Sequence, residues 1–140
     1  MLYYIEAGHD IGYEPFAGVR SSKFTIKYID LNSKNYKIKN LLLNKNFLRP
    51  TKLELDLEER FLCFATDFGD IHVIDLLSKK EINILPSNID SENVHGEYLS
   101  PDRKSFIVSI NVGTDSNANY IWKKHKIDLK TKAITKFHEN

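Results

Sequence analysis

Leu55-Asp56-Leu57-Glu58-Glu59-Arg60-Phe61-Leu62-Cys63-Phe64 aligns without gaps on Leu99-Ser100-Pro101-Asp102-Arg103-Lys104-Ser105-Phe106-Ile107-Val108. The offset is 44 residues, and at the same offset Gly69 falls on Gly113. In both copies a short polar cluster separates two β-type runs, which reads as strand, tight turn, strand. Between these copies runs a second repeat. Tyr28-Ile29-Asp30-Leu31-Asn32-Ser33-Lys34, Val73-Ile74-Asp75-Leu76-Leu77-Ser78-Lys79 and Lys126-Ile127-Asp128-Leu129-Lys130-Thr131-Lys132 share Ile-Asp-Leu followed by Ser or Thr and Lys. The Asp carboxylate and the hydroxyl can accept turn N–H groups, so each stretch reads as a hairpin turn with its Lys in water.

The two repeats are in phase, and together they define a unit of about 44 residues with four strands, a to d. The second unit holds a (51–56), b (60–66), c (71–76) and d (80–85). The third holds a (96–99), b (105–111), c (120–128) and d (133–137), with an insertion after Gly113. The first holds b (2–6), c (23–30) and d (36–42) and lacks strand a; Tyr3-Tyr4-Ile5 parallels Leu62-Cys63-Phe64. No stretch of helical length carries a 3.6-residue period. Asn44, Asn46 and Pro50 leave room for a single turn after Leu41-Leu42-Leu43.

At 140 residues, with 41% hydrophobic and 28% charged side chains, the chain is expected to fold as one domain with its own core. Twenty basic against nineteen acidic side chains give a net charge of +1, so no nucleic-acid or membrane partner is expected. Cys63 is the single cysteine, so no intrachain disulfide forms; within Phe61-Leu62-Cys63-Phe64 it reads as a small core residue. The first residues lack the basic and apolar regions of a signal peptide, and no apolar run is long enough to span a bilayer. The expected compartment is the cytoplasm, although a trimmed leader would leave the same start.

A four-stranded unit of this length resembles a β-propeller blade. Leu99-Ser100-Pro101-Asp102-Arg103-Lys104 is similar to the Ser-Pro-Asp-Gly-Lys turn of WD-repeat-like and lactonase-like propellers, with Arg103 in the place of Gly. The strict WD-repeat pairs are missing: His95-Gly96 has the reverse order, and Trp122 is followed by Lys123. The resemblance implies an all-β partial propeller of about three four-stranded antiparallel blades, 1–43, 47–86 and 94–138, the first without its innermost strand. A ring needs at least four blades. Three resolutions stay open: a homodimer forming a six-bladed ring, a fragment completed by another chain, or a sandwich or barrel instead of a propeller.

On blades, the b–c and d–a loops share one face. That face receives the long segments His9–Ser22, Asn44–Pro50, Pro86–His95 and Thr114–Asn119, and loops longer than the repeat are where binding is added. The candidate partner-binding residues are His9, Asp10, Tyr13, Phe16, Arg20, Arg49, Asp90, Glu92 and His95; aromatic and Arg side chains are the usual anchors of protein interfaces. The opposite face, with the a–b and c–d turns, reads as a plain Lys-bearing surface.

No catalytic residue, cofactor or metal site is expected. His9, Asp67, Asp70, His72 and Asp115 approach the loop face without metal-ligand spacing. Asp67-Phe68-Gly69-Asp70 has the letters of a kinase turn without the rest of the kinase set and reads as a b–c turn. Asp115-Ser116-Asn117-Ala118-Asn119 is oxygen-rich but lacks the Gly and Glu of an EF-hand loop. Trp122-Lys123-Lys124-His125-Lys126 alternates, with Trp122, Lys124 and Lys126 on one face, as in a half-exposed strand. The expected function is a non-catalytic protein-binding module that holds another chain, or a second copy of itself, by its loop face; an immunity or inhibitor protein is one version. The alternative is a piece of a lactonase-like propeller hydrolase whose site forms on ring closure.

Overall fold

A computed structural model describes residues 1–14, 19–32, 34–41, 52–66 and 69–138, with backbone alone for 5–14 and 19–25. Eleven strands are described, in three antiparallel sheets. The chain divides into two compact units, Met1–Leu53 and Glu54–Asn140. The first holds β1 (Leu2–Glu14), β2 (Val19–Ile29) and β3 (Ile38–Asn40), in that order across the sheet. The second holds β4 (Glu54–Leu55), β5 (Phe61–Ala65), β6 (Ile71–Asp75) and β7 (Lys80–Ile82) in one sheet. Its other sheet runs β8 (Val94–Leu99), β9 (Ser105–Thr114), β10 (Tyr120–Asp128), β11 (Ile134–Lys136). Every sheet is a meander of sequence neighbours. The fold is all-β, and its sheets of three, four and four strands match a partial, three-blade propeller-like arrangement.

The turns show that the sheets are copies of one unit. Asp56 and Ser100 occupy the same place, and the N–H of Glu59 and of Arg103 donate back to their carbonyls at 3.0 and 2.8 Å. Both donors are left-handed, with φ of 55° and 56°. Asp56 Oδ1 accepts the N–H groups of Arg60 and Phe61, and Ser100 Oγ accepts that of Ser105. At the c–d turns, Asp30, Asp75 and Asp128 each accept the N–H two residues on, at 2.9–3.0 Å. The hydroxyls of Ser78 and Thr131 accept the N–H groups of Lys80 and Ala133, so both shared residues serve the turn. Arg60 holds Asp75 with two guanidinium hydrogen bonds, which keep that carboxyl below its ordinary range.

Equivalent cross-strand pairs follow from these turns. Leu62–Ile74 corresponds to Phe106–Ile127, and Cys63–Val73 to Ile107–Lys126. In the first unit Leu2 lies opposite Ile29, so Leu2, not Tyr3, takes the place of Leu62. The count back from the turn aspartate fixes this register, and residue-type matching missed it by one.

Alternation gives each sheet two faces. Phe61, Cys63, Ala65 and Val73 from β5 and β6 meet Val94, Leu99, Phe106, Val108 and Ile127 from β8, β9 and β10 in one buried cluster. Cys63 is fully buried there, and burial pushes its thiol far up, which makes it inert. The two sheets also touch through backbone. The N–H of Gly96 donates to the carbonyl of Gly69 at 2.7 Å, and that of Leu57 to Arg103 at 2.9 Å.

The largest departure from expectation concerns His9–Ser22. Instead of a long loop, β1 and β2 continue pairing up to Glu14 opposite Val19. Gly8 and Gly12 fall within β1. The ladder shifts register between Ala7 and Asp10 and again between Asp10 and Tyr13, so these glycines sit at irregularities that a strand tolerates. A short 3-10 turn, Ser91–Asn93, precedes β8 and has no sequence signal strong enough to announce it.

Two substitutions test this account. Arg103→Gly removes the side-chain penalty of a left-handed residue, about 1–2 kcal/mol, against an entropic loss of about 0.5–1 kcal/mol. It is expected to raise stability by roughly 0.5–1 kcal/mol in urea unfolding; destabilisation contradicts the assigned turn. Gly96→Ala places a Cβ 2.5 Å from Ile71 Cγ1 and 3.1 Å from the Gly69 carbonyl oxygen. Overpacking of this kind costs about 1–3 kcal/mol, and an unchanged midpoint refutes the close approach.

Candidate functional site

The candidate residues lie at the b–c end of the first unit's sheet and, in the second unit, on the d–a connection beside the b–c ends. The nine candidate residues fall into three groups. His9, Asp10, Tyr13 and Arg20 lie on the backbone of the β1–β2 ribbon, with Asp10 opposite Ser22 and Tyr13 opposite Arg20. Phe16 and Arg49 lie outside the described residues. Asp90 and Glu92 lie on the d–a connection that enters β8, and His95 lies at the start of that strand. Asp90 and Glu92 are exposed. The His95 ring packs against Gly69 of the neighbouring b–c turn: a Cβ on Gly69 would sit 2.3 Å from His95 Cδ2.

Around His95 the polar groups are engaged with one another. Glu97 Oε1 accepts the Ser109 hydroxyl at 3.0 Å and lies 3.4 Å from His95 Nδ1. The serine donates to the carboxylate and not to the imidazole, so His95 is not positioned as its base. His72 pairs with Glu81 and stacks on Phe64 at 4.9 Å between ring centroids. Among the described residues no group of three His, Cys, Asp or Glu side chains is arranged to hold a metal ion. The oxygen-rich loop uses its own carboxylate: Asp115 Oδ1 accepts the N–H groups of Asn119 and Asn117 at 3.0 and 2.8 Å. Those bonds hold its carboxyl below the ordinary range.

The same end carries a feature that sequence reasoning did not single out. The β9–β10 hairpin is longer than the β5–β6 hairpin, and its far part exposes Val112, Tyr120, Ile121 and Trp122 by 51, 69, 36 and 45%. Tyr120 lies opposite Thr114 and Trp122 opposite Asn111, with a register shift between them. The signal was present in sequence as Tyr120-Ile121-Trp122, three consecutive large apolar residues beside the insertion after Gly113. It was absorbed into the strand assignment, where alternate burial hides half of such residues.

The opposite, turn-bearing end is less plain than expected. A cleft of about 200 Å³ lies between the a–b and c–d turns of the second unit, bordered by Leu57, Arg103, Lys104 and Leu129. Its acidic groups are committed: Asp56 and Asp128 to turn N–H groups, Glu58 to Lys130 Nζ at 2.7 Å. The Lys130 hydrogen bond and charge hold the Glu58 carboxyl low. These carboxylates maintain turns rather than await a ligand. No helix among the described residues is long and apolar enough to cross a membrane.

The exposed hairpin end makes a direct prediction. Tyr120→Ser and Trp122→Ser together are expected to change unfolding free energy by less than about 0.5 kcal/mol, as surface substitutions do; a large loss in urea unfolding would mean that these side chains serve the core. No protein-family model matches the chain, and no curated protein matches it in sequence.

Proposed function

We propose that the chain is a non-catalytic protein-binding module that holds another protein chain with the b–c end of β9–β10 and the adjoining d–a connection. The observation that carries this reading is the exposed cluster of Val112, Tyr120, Ile121 and Trp122 at the far end of β9–β10. Covering apolar surface yields about 25 cal/mol per Å², and Trp and Tyr are the side chains on which interface energy concentrates. A paired hairpin presents them already ordered, so little conformational freedom is lost on binding. The β1–β2 ribbon, which carries His9, Asp10, Tyr13 and Arg20, occupies the same b–c place in its own sheet and is also longer than the repeat requires. Asp90, Glu92 and His95 add polar groups next to Gly69, as the rim of an interface does. An immunity or inhibitor protein, acting in the cytoplasm by blocking a second protein, is the concrete form of this reading.

Site-specific photo-cross-linking in the cells that make the protein tests it. A photoreactive residue at position 120 is expected to give one discrete adduct with a different protein, and Trp122→Ala in the same chain is expected to abolish it. The same residue at position 57, which is exposed on the turn-bearing end, serves as the control. Equal adducts from both positions, no adduct, or an adduct only with a second copy of the chain would refute the proposal.

A further inference from the structure

β10 is longer than the strand at its outer side. It runs over Tyr120–Asp128, whereas β11 pairs only with His125, Lys126 and Ile127. Among the described residues, the last backbone bond along that side joins the Phe137 N–H to the Lys124 carbonyl at 3.1 Å. Nearer the turn, the Asp128 N–H donates to the Ala133 carbonyl. Even-numbered residues of β10 therefore turn their backbone groups toward β11, and strand alternation points the N–H and C=O of Trp122 along the same edge. Among the described residues no strand lies beside Tyr120–Lys123 on that side. The opposite edge of the hairpin is blunter: Asn93 of the 3-10 turn accepts from the Asn111 amide, and the register shift falls at Val112 and Gly113. An open strand edge is a template on which another strand can pair.

We infer that Tyr120–Lys123 of β10 takes an extended segment of the partner protein as an added strand, and that this segment alternates acidic and apolar side chains. The inference rests on the reading of this hairpin end as the partner-binding surface. Alternation divides the edge into two faces. Tyr120 and Trp122, both exposed, lie on one face and favour apolar neighbours. Lys123 lies on the other, with His125 and with Lys136, which stands opposite His125 on β11. Lys123 and Lys136 are exposed, and the residue opposite Lys123 on β9 is Ile110. Opposite charges on neighbouring strands stabilise a sheet, and like charges oppose it. A second copy does not meet this requirement: between Asp115 and Asp128 the chain carries Lys123, Lys124 and Lys126 and no acidic residue.

Amide exchange and peptide titration of the isotope-labelled protein, read by nuclear magnetic resonance, test it. In the free protein the Trp122 amide is expected to exchange about a hundredfold faster than that of Lys126, which pairs with β11. Equal protection of the two amides would mean that the edge is already covered and would overturn the inference. The probes are a short blocked peptide of alternating Glu and Val, the same peptide N-methylated throughout, and a peptide of alternating Lys and Val. The first is expected to bind, shifting the resonances of Tyr120–Lys123 and slowing Trp122 exchange; the other two are not. Lys123→Glu with Lys136→Glu is expected to weaken the acidic peptide about tenfold and to admit the basic one. No binding of the acidic peptide, or equal binding of its N-methylated form, overturns the added strand. The cross-link from position 120 decides separately whether the hairpin end is the binding surface.

Discussion

The structure of the second unit depends on one contact, the burial of the β5–β6 face against the β8–β9–β10 face. Strand alternation allows only odd-numbered positions of β5 to reach it, and Phe61, Cys63 and Ala65 are the ones that do. Gly96 lets the backbones approach until its N–H meets the Gly69 carbonyl. Once that contact is made, the ends of the sheets are placed. The a–b and c–d turns gather at one end, tied by Leu57 to Arg103, and His95 comes against the b–c turn at the other.

The chemistry of the polar side chains follows from the same economy. A repeat of short strands has many turns, and each turn leaves N–H groups that need acceptors. Asp30, Asp56, Asp75, Asp102, Asp115 and Asp128 supply them. Carboxylates spent on backbone are not placed for acid–base work or metal binding. Among the described residues the apolar end of β9–β10 and the rim beside it are exposed, and the proposed function rests on them.

Much of the fold was legible because turn chemistry is local. Asp30, Asp75 and Asp128 announced three hairpins, and the gap-free match around Asp56 and Ser100 fixed the phase, down to the left-handed Glu59 and Arg103. Strand lengths were less legible. Gly8 and Gly12 look like the end of a strand, but a ladder can pass them at register shifts, and no local signal distinguishes the two cases. The parallel drawn from Tyr3 slipped by one because aromatic type was matched where register decides. The exposed end of β9–β10 was not legible as a candidate surface. Tyr120, Ile121 and Trp122 looked like ordinary strand residues, since which of them stays exposed is decided by how the sheets pack.

The most direct measurement is a nuclear Overhauser spectrum of the labelled protein, read at Gly96 and Ile71. These residues belong to different sheets, and the space where a Cβ of Gly96 would stand is 2.5 Å from Ile71 Cγ1. The account predicts a strong cross-peak between the Gly96 α-protons and the Ile71 side chain, alongside the cross-strand peaks of each sheet. Cross-strand peaks within both sheets with no peak joining Gly96 to Ile71 would contradict it, because the sheets would then exist without the stacking on which everything else depends.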